Sequence, residues 1–147
     1  MSVDLKDPGA LERIRQVFEG VPFLRHLGIR LADLGPGWAE SLLEVGPHLG
    51  QAEGFVHAGA VATMADHTCG TAAGTLTRAD QTVLTVEFKV SLLRPAVGDS
   101  LRCRAEVIRA GSRLAFAEAR VWARAGGEQK LVAAFSSTLA LVESPAR

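Results

Sequence analysis

The sequence predicts an α+β layer: one long helix packed against an antiparallel sheet of about six strands. Three observations predict it. Small and apolar residues from Gly59 to about Leu76 recur with a helical period. Two segments before that run and four after it have the pattern of strands. Short connections rich in Gly and Pro separate the later strands, which are therefore expected to form an antiparallel meander.

The elements follow in order. Leu11, Ile14, Val17 and Phe18 recur at helical steps and mark a helix over 10–19, stopped by Gly20-Val21-Pro22. A second short turn or helix is expected from Pro22 to Leu27. Residues 29–34 and 38–45 read as a hairpin turning through Gly35-Pro36-Gly37, and Gly46 to Gly54 as a loop. In the long helix Val61, Met64, Ala65, Thr68, Cys69, Ala72 and Leu76 share one face, which should meet the sheet. Leu84, Val86, Phe88, Val90 and Leu92 then alternate with Thr85, Glu87, Lys89 and Ser91, a half-buried strand ending at Arg94-Pro95. Leu101, Cys103, Ala105 and Val107 mark the next strand, after a turn at Gly98-Asp99. Residues 113–124 follow Ala110-Gly111-Ser112, and 129–142 follow Gly126-Gly127. The alanine-rich face of 115–123 is expected on the far side of the sheet, where water would serve it poorly. Oligomerisation is expected on that ground.

The chain has 147 residues, the size of one domain: 1–20 an N-terminal helical segment, 21–142 the core. There is no internal repeat, low-complexity tract or long linker. Sixteen basic and sixteen acidic residues cancel, which removes any general drive toward nucleic acid or an anionic membrane. Basic residues do recur between Arg94 and Arg124, leaving room for a local positive rim. Cys69 and Cys103 sit among apolar neighbours and read as buried thiols rather than a disulfide. The opening residues lack a basic stretch followed by an apolar core, and no run is long enough to span a membrane, so the cytoplasm is the expected compartment.

The chemistry concentrates in Gln51-Ala52-Glu53-Gly54-Phe55-Val56-His57-Ala58-Gly59 and the helix that follows. A helix start offers unpartnered N–H groups and a favourable dipole to a developing oxyanion, and Gly59 permits close approach. Asp66 falls at the edge of the apolar stripe, with Gly59, Ala62, Gly70 and Ala73 on its side, leaving room for a substrate or a second subunit. A carboxylate partly withdrawn from water can serve as general base near neutrality. The polar strand face carrying Thr85 and Glu87 is expected to line the same space, with Thr85 holding a water or the carboxylate. Plainer readings stand beside these. His57 could brace its loop through a backbone hydrogen bond, and Asp66 could be a solvated residue with a Ser or Thr partner. His67, offset from the stripe, reads as exposed or facing a partner. His26 and His48 lack acidic or cysteine companions, and no tetrahedral spacing joins His57, His67 and Cys69, so no metal is expected. Gly98-Asp99-Ser100-Leu101 spells an esterase signature, but it opens a late strand with no histidine downstream and reads as a hairpin turn.

Taken together these residues resemble the phenylacetate-degradation-type (PaaI) thioesterases of the hotdog superfamily. That family has a His-Gly-Gly start and an aspartate nine residues after the histidine, the spacing of His57 and Asp66 here. The later landmarks are Thr85-Val86-Glu87-Phe88, Leu93-Arg94-Pro95-Ala96, Gly98-Asp99, Gly111-Ser112-Arg113-Leu114 and Ala133-Ala134-Phe135-Ser136-Ser137-Thr138. The match covers roughly residues 20–142. The resemblance implies a six-stranded sheet curled around the central helix, paired into a homodimer and often a tetramer. It implies hydrolysis of an acyl-coenzyme A, with coenzyme A part of the substrate and no separate cofactor. Asp66 would be general base or nucleophile, and the Ala58 N–H would receive the thioester oxygen. His57 would orient the loop, Gln51 would position water or carbonyl, and Thr85 would support Asp66. In this family the aspartate and the oxyanion donor come from different subunits. Two positions depart from the pattern. Gln51 replaces an asparagine, and Ala58 replaces a glycine, so a left-handed backbone there would cost about 1 kcal/mol. Arg94, Arg109 and Arg113 are the candidate partners of the coenzyme A phosphates. Two other functions are compatible with such a fold: a hydratase or dehydratase pairing His57 with Asp66, and a non-catalytic acyl-CoA-binding module.

Overall fold

Small side chains let the long helix lie close against the sheet. The computed structural model describes residues 3–145. Its elements are α1 (Ala10–Glu19), α2 (Pro22–Leu27), β1 (Ile29–Gly35), β2 (Trp38–Glu44), a 3-10 turn (Pro47–Leu49), α3 (Ala58–Gly74), β3 (Gln81–Leu92), β4 (Ser100–Ala110), β5 (Leu114–Ala125) and β6 (Glu128–Glu143). The six strands form one antiparallel sheet in the order β1-β2-β4-β5-β6-β3, and α3 packs across it, meeting every strand. This is the hotdog architecture. All seven residues of the predicted helix stripe are buried. The one hydroxyl among them has partners: Thr68 Oγ1 donates to the Met64 carbonyl at 2.6 Å and lies 2.7 Å from Ser41 Oγ. At the far end of α3, Thr75 Oγ1 accepts the Gly37 N–H at 2.8 Å and ties the β1–β2 turn to the helix. Both cysteines are free and buried. Burial pushes the Cys103 thiol up to about 12 and raises Cys69 as well, so both stay protonated.

Three expectations are corrected. The strands after α3 are not one meander. Only β4, β5 and β6 are; β3 pairs with β6, and β4 pairs with β2. The segment 93–99 is therefore a crossover along one end of the sheet, not a hairpin. It is pinned by Leu93 N–H to Val132 O, Val56 N–H to Ala96 O, and Asp99 N–H to Arg124 O. Gly98 passes so close to β5 that a Cβ there would meet the Arg124 carbonyl oxygen at 2.5 Å.

The alanine row of β5 is the inner face, not the far side. Ala115, Ala117, Ala119 and Ala123 are buried, while Leu114, Phe116, Glu118 and Arg120 are exposed on the outside. These residues are small because the helix is close, and water never reaches them.

β3 is not half-buried. Leu84, Val86, Phe88 and Leu92 are all exposed, Val86 at 59%. The strand lies at the sheet edge, and a β-bulge at Val86 interrupts its alternation. Thr85 lies opposite Leu139 and shares the helix side, whereas Glu87 lies opposite Thr138 on the outer side and accepts its hydroxyl. Beyond the bulge Phe88 shares the helix side again, stacked on Phe135 with ring centroids 5.0 Å apart. Exposed apolar residues thus include those of β3, Ile108, Leu114 and Phe116 on the sheet, and Val17, Phe23, Leu93 and Val97 elsewhere.

The placement of the alanine row is open to a direct check. Ala119→Leu should destabilise the fold by about 1–3 kcal/mol in urea unfolding, as overpacking does. Arg120→Leu, one residue on and facing outward, should change stability by less than about 0.5 kcal/mol. The opposite ranking would put the alanines outside.

Candidate active site

The start of α3 is built by its own sequence. His57 is the N-cap, with extended backbone at φ −60° and ψ 137°, and its Nδ1 accepts the Gly59 N–H at 2.8 Å. A side chain at 59 would crowd that imidazole, since a Cβ there would meet Nδ1 at 3.0 Å. The His57 N–H donates to the Leu49 carbonyl at 2.7 Å, anchoring the loop to the 3-10 turn. No non-glycine residue has a positive φ among the described residues, so Ala58 sits in an unstrained helical backbone. The glycine of the family pattern is therefore not required here for conformation. The Ala58 N–H makes no hydrogen bond among the described residues and remains available as a donor. Gln51 turns into its own loop, where its side-chain oxygen accepts the Glu53 N–H and its backbone N–H donates to Phe55 O at 2.8 Å. Its amide does not reach Asp66.

Asp66 lies two turns along α3, half-buried, and Thr85 Oγ1 donates to its Oδ1 at 2.8 Å. Pairing with Leu139 puts Thr85 on the helix side, and the bulge at Val86 turns Glu87 away. Thr85 thus joins the site as expected and Glu87 does not. The pair borders a cavity of about 450 Å³ between α1, α3 and the start of β3. The helix-side wall also contains His67, which is not exposed. It is half-buried, with its ring edge-on to Phe18 at 5.0 Å. Burial lowers the His67 pKa from its ordinary 6.5, and the Asp66 charge opposes that only in part.

Helix α1 forms the opposite wall through Ile14, Val17 and Phe18. Sequence reasoning left this helix outside the site. The signal was present in Ile14 and Phe18, an apolar face that needs a partner, although Val17 stays half exposed at the rim.

One chain does not bring every predicted residue together. Ala58 and Asp66 are eight residues apart in one helix, about 12 Å along its axis. His57 and Asp66 are no closer, so they do not form an acid–base pair within one chain. Arg94 leaves β3 beside the α3 start, its N–H directed at Val132 O, while the Arg113 carbonyl accepts the Leu141 N–H opposite Val83. The nine residue steps along β6 from Val132 to Leu141 span about 30 Å. Arg109 is exposed on β4, level with Phe116. Arg94, Arg109 and Arg113 form no ion pair among the described residues. Other arginines of the predicted rim are occupied: Arg102 and Arg104 bind Glu40 at 2.7 and 3.1 Å and lie over the Trp122 and Trp38 rings. Among the described residues no three His, Cys, Asp or Glu side chains converge as metal ligands would, and no helix is long and apolar enough to cross a membrane.

Comparison with known proteins agrees with this geometry. Residues 53–130 match the thioesterase superfamily. A thioesterase family protein from Silicibacter pomeroyi is 38% identical, with a TM-score of 0.90 over 92% of this chain and 100% of that one. A conserved protein from Pseudomonas aeruginosa is 33% identical, with a TM-score of 0.76 over 83% of this chain and 94% of that one. The PaaI protein from the Escherichia coli phenylacetic acid degradation operon shares the fold, with a TM-score of 0.82 over 90% of this chain and 93% of that one, at 20% identity. A search among curated proteins finds no match. The chain belongs to the thioesterase superfamily, and its class of reaction is thioester hydrolysis.

The buried imidazole generates a pH prediction. His67 titrates near 6.5 when unfolded and lower when folded, so unfolding takes up a proton between those values. Its contribution to stability is complete above pH 6.5 and is lost as pH falls toward the folded-state value. The thermal midpoint of the wild type should therefore drop more steeply between pH 7 and 5 than that of His67→Gln. Parallel curves would show that burial does not hold the ring neutral.

Proposed function

We propose that this protein hydrolyses an acyl-coenzyme A thioester to a free acid and coenzyme A, with Asp66 as the reacting carboxylate. The observation that supports it most directly is the Thr85–Asp66 hydrogen bond at the mouth of the cavity. Thr85 fixes Oδ1, and Oδ2 makes no hydrogen bond among the described residues, leaving it directed to chemistry. In one route Oδ2 takes a proton from water as the water oxygen attacks the thioester carbon. The C–S bond breaks, and the sulfur leaves as thiolate and is protonated. In the other, Oδ2 attacks that carbon and expels the thiolate, forming an anhydride that water opens. The route draws on no metal or cofactor.

The negative charge on the thioester oxygen needs a donor, and the free Ala58 N–H at a helix start supplies one. Its own Asp66 is about 12 Å away, so the donor comes from a second copy of the chain. The free edge and exposed apolar residues of β3 support this reading, because a second β3 can cover them in a homodimer. The same arrangement reconciles the two distant arginines. Arg94 travels with the α3 start and Arg113 with the Asp66 end, so one from each copy can rim a shared site and meet the coenzyme A phosphates. His57 holds the donor loop in shape, and Gln51 acts through the same loop. The cytoplasm, where acyl-CoA is made and used, is the compartment this reading fits.

Asp66→Asn should lower kcat by about 100-fold or more with acyl-CoA substrates, as loss of a positioned base does. Thr85→Val should cause a smaller loss that falls mainly on kcat. Unchanged turnover in Asp66→Asn would remove this assignment. A single turnover in oxygen-18 water separates the routes: label in the Asp66 carboxylate identifies the anhydride.

A further inference from the structure

We infer that the cavity beside Asp66 is a channel for a linear acyl chain of about eight to ten carbons, and that Gly70 on α3 sets its depth. This rests on the proposed thioesterase reading and adds to it the class of acyl group.

Asp66, Gly70 and Gly74 are spaced four residues apart and lie along one side of α3. From the carboxylate to Gly74 the helix rises about 12 Å. A Cβ at Gly70 would meet nothing within 4 Å, so the floor of the cavity is open there. At Gly74 the space narrows, because a Cβ would meet Ile14 Cδ1 at 2.7 Å, and beyond it the lining turns polar at Thr77 and Gln81. Val17 and Phe18 of α1 and Val83 of β3 give the space an apolar side, with His67, Thr71 and Thr82 beside them. The far end is polar and tied down. Arg13 binds Asp7 at 3.2 Å and the Thr77 carbonyl at 3.4 Å. The space therefore begins at the reacting carboxylate, passes an apolar stretch beside Gly70 and reaches a polar end that holds Arg13, Thr77, Gln81 and Ser144.

Its dimensions select the occupant. Three bonds of extended chain cover roughly 3.3–3.6 Å, so about 12 Å takes roughly ten bonds. The volume of about 450 Å³ is some three times the ~150 Å³ cavity that admits benzene. An acetyl or butyryl group would leave most of it unfilled, and a palmitoyl chain would run into the Arg13 end. Full burial of a methylene raises affinity by about fourfold, so kcat/KM should climb with chain length and then fall.

The test measures kcat/KM for butyryl-, octanoyl-, decanoyl- and palmitoyl-CoA with the wild type, Gly70→Leu and Val17→Trp. Calorimetric titration with non-hydrolysable butyl- and decyl-CoA thioethers accompanies it. The wild type should prefer octanoyl or decanoyl, and bind the decyl thioether more tightly than the butyl. Gly70→Leu should lower the decanoyl-to-butyryl ratio of kcat/KM at least tenfold. Val17→Trp narrows the channel from its rim and should shift the ratio the same way, which covers the case of a poorly folded Gly70→Leu. A wild type that favours butyryl, or ratios that neither variant moves, would overturn the channel. Tight, length-dependent thioether binding without hydrolysis of any acyl-CoA would overturn the thioesterase reading and leave the channel standing.

Discussion

The close seating of α3 on the sheet is the constraint on which the rest of the molecule depends. Ala65, Cys69 and Ala72 on the helix face Ala105, Ala115, Ala117, Ala119 and Cys103 on the strands, and all are essentially inaccessible. Interiors are packed as densely as crystals, so the distance between two layers is set by side-chain volume at the contact. Larger residues along this seam would lift the helix and with it Asp66. The 2.8 Å reach from Thr85 to Asp66 depends on the seam staying thin. Core and site are in this respect one feature, since the alanines that look dispensable set the geometry of the carboxylate.

A second determinant is the bulge in β3. Regular alternation would put Thr85 and Glu87 together on one face. One extra residue at Val86 separates them, leaving a hydroxyl toward the helix and a carboxylate on the outer face held by Thr138. The site consequently contains one acid where the uninterrupted pattern would have supplied two. The bulge keeps the Glu87 carboxylate away from Asp66, whose side-chain partner is the neutral Thr85 hydroxyl.

Exposure along β3 and the division of the site residues between two ends of α3 have the same explanation in the proposed dimer. An isolated chain leaves a twelve-residue edge strand with apolar side chains on both faces, a surface natural proteins normally cover. It also leaves a helix-start donor far from its acid. A second copy across that edge resolves both at once.

The amino-acid sequence by itself determined the local elements and the cast of residues. The helical period from Gly59 to about Leu76, observed as a helix over Ala58–Gly74, the turn at Gly35-Pro36-Gly37 and the spacing of His57 to Asp66 are local properties of the sequence. The Asp66–Thr85 partnership was legible only as one of two options, Thr85 holding either a water or the carboxylate, and as what the family resemblance implied; the structure shows the hydrogen bond to the carboxylate. Only the tertiary structure decided that β3 joins β6 rather than β4, that the β5 alanines face inward, that Val86 splits Thr85 from Glu87, and that α1 walls the cavity beside His67. The physical reason is common to all four. Period two states that a strand has two faces but not which face meets the helix, and pairing partners distant in sequence are chosen by the energy of the whole packed layer.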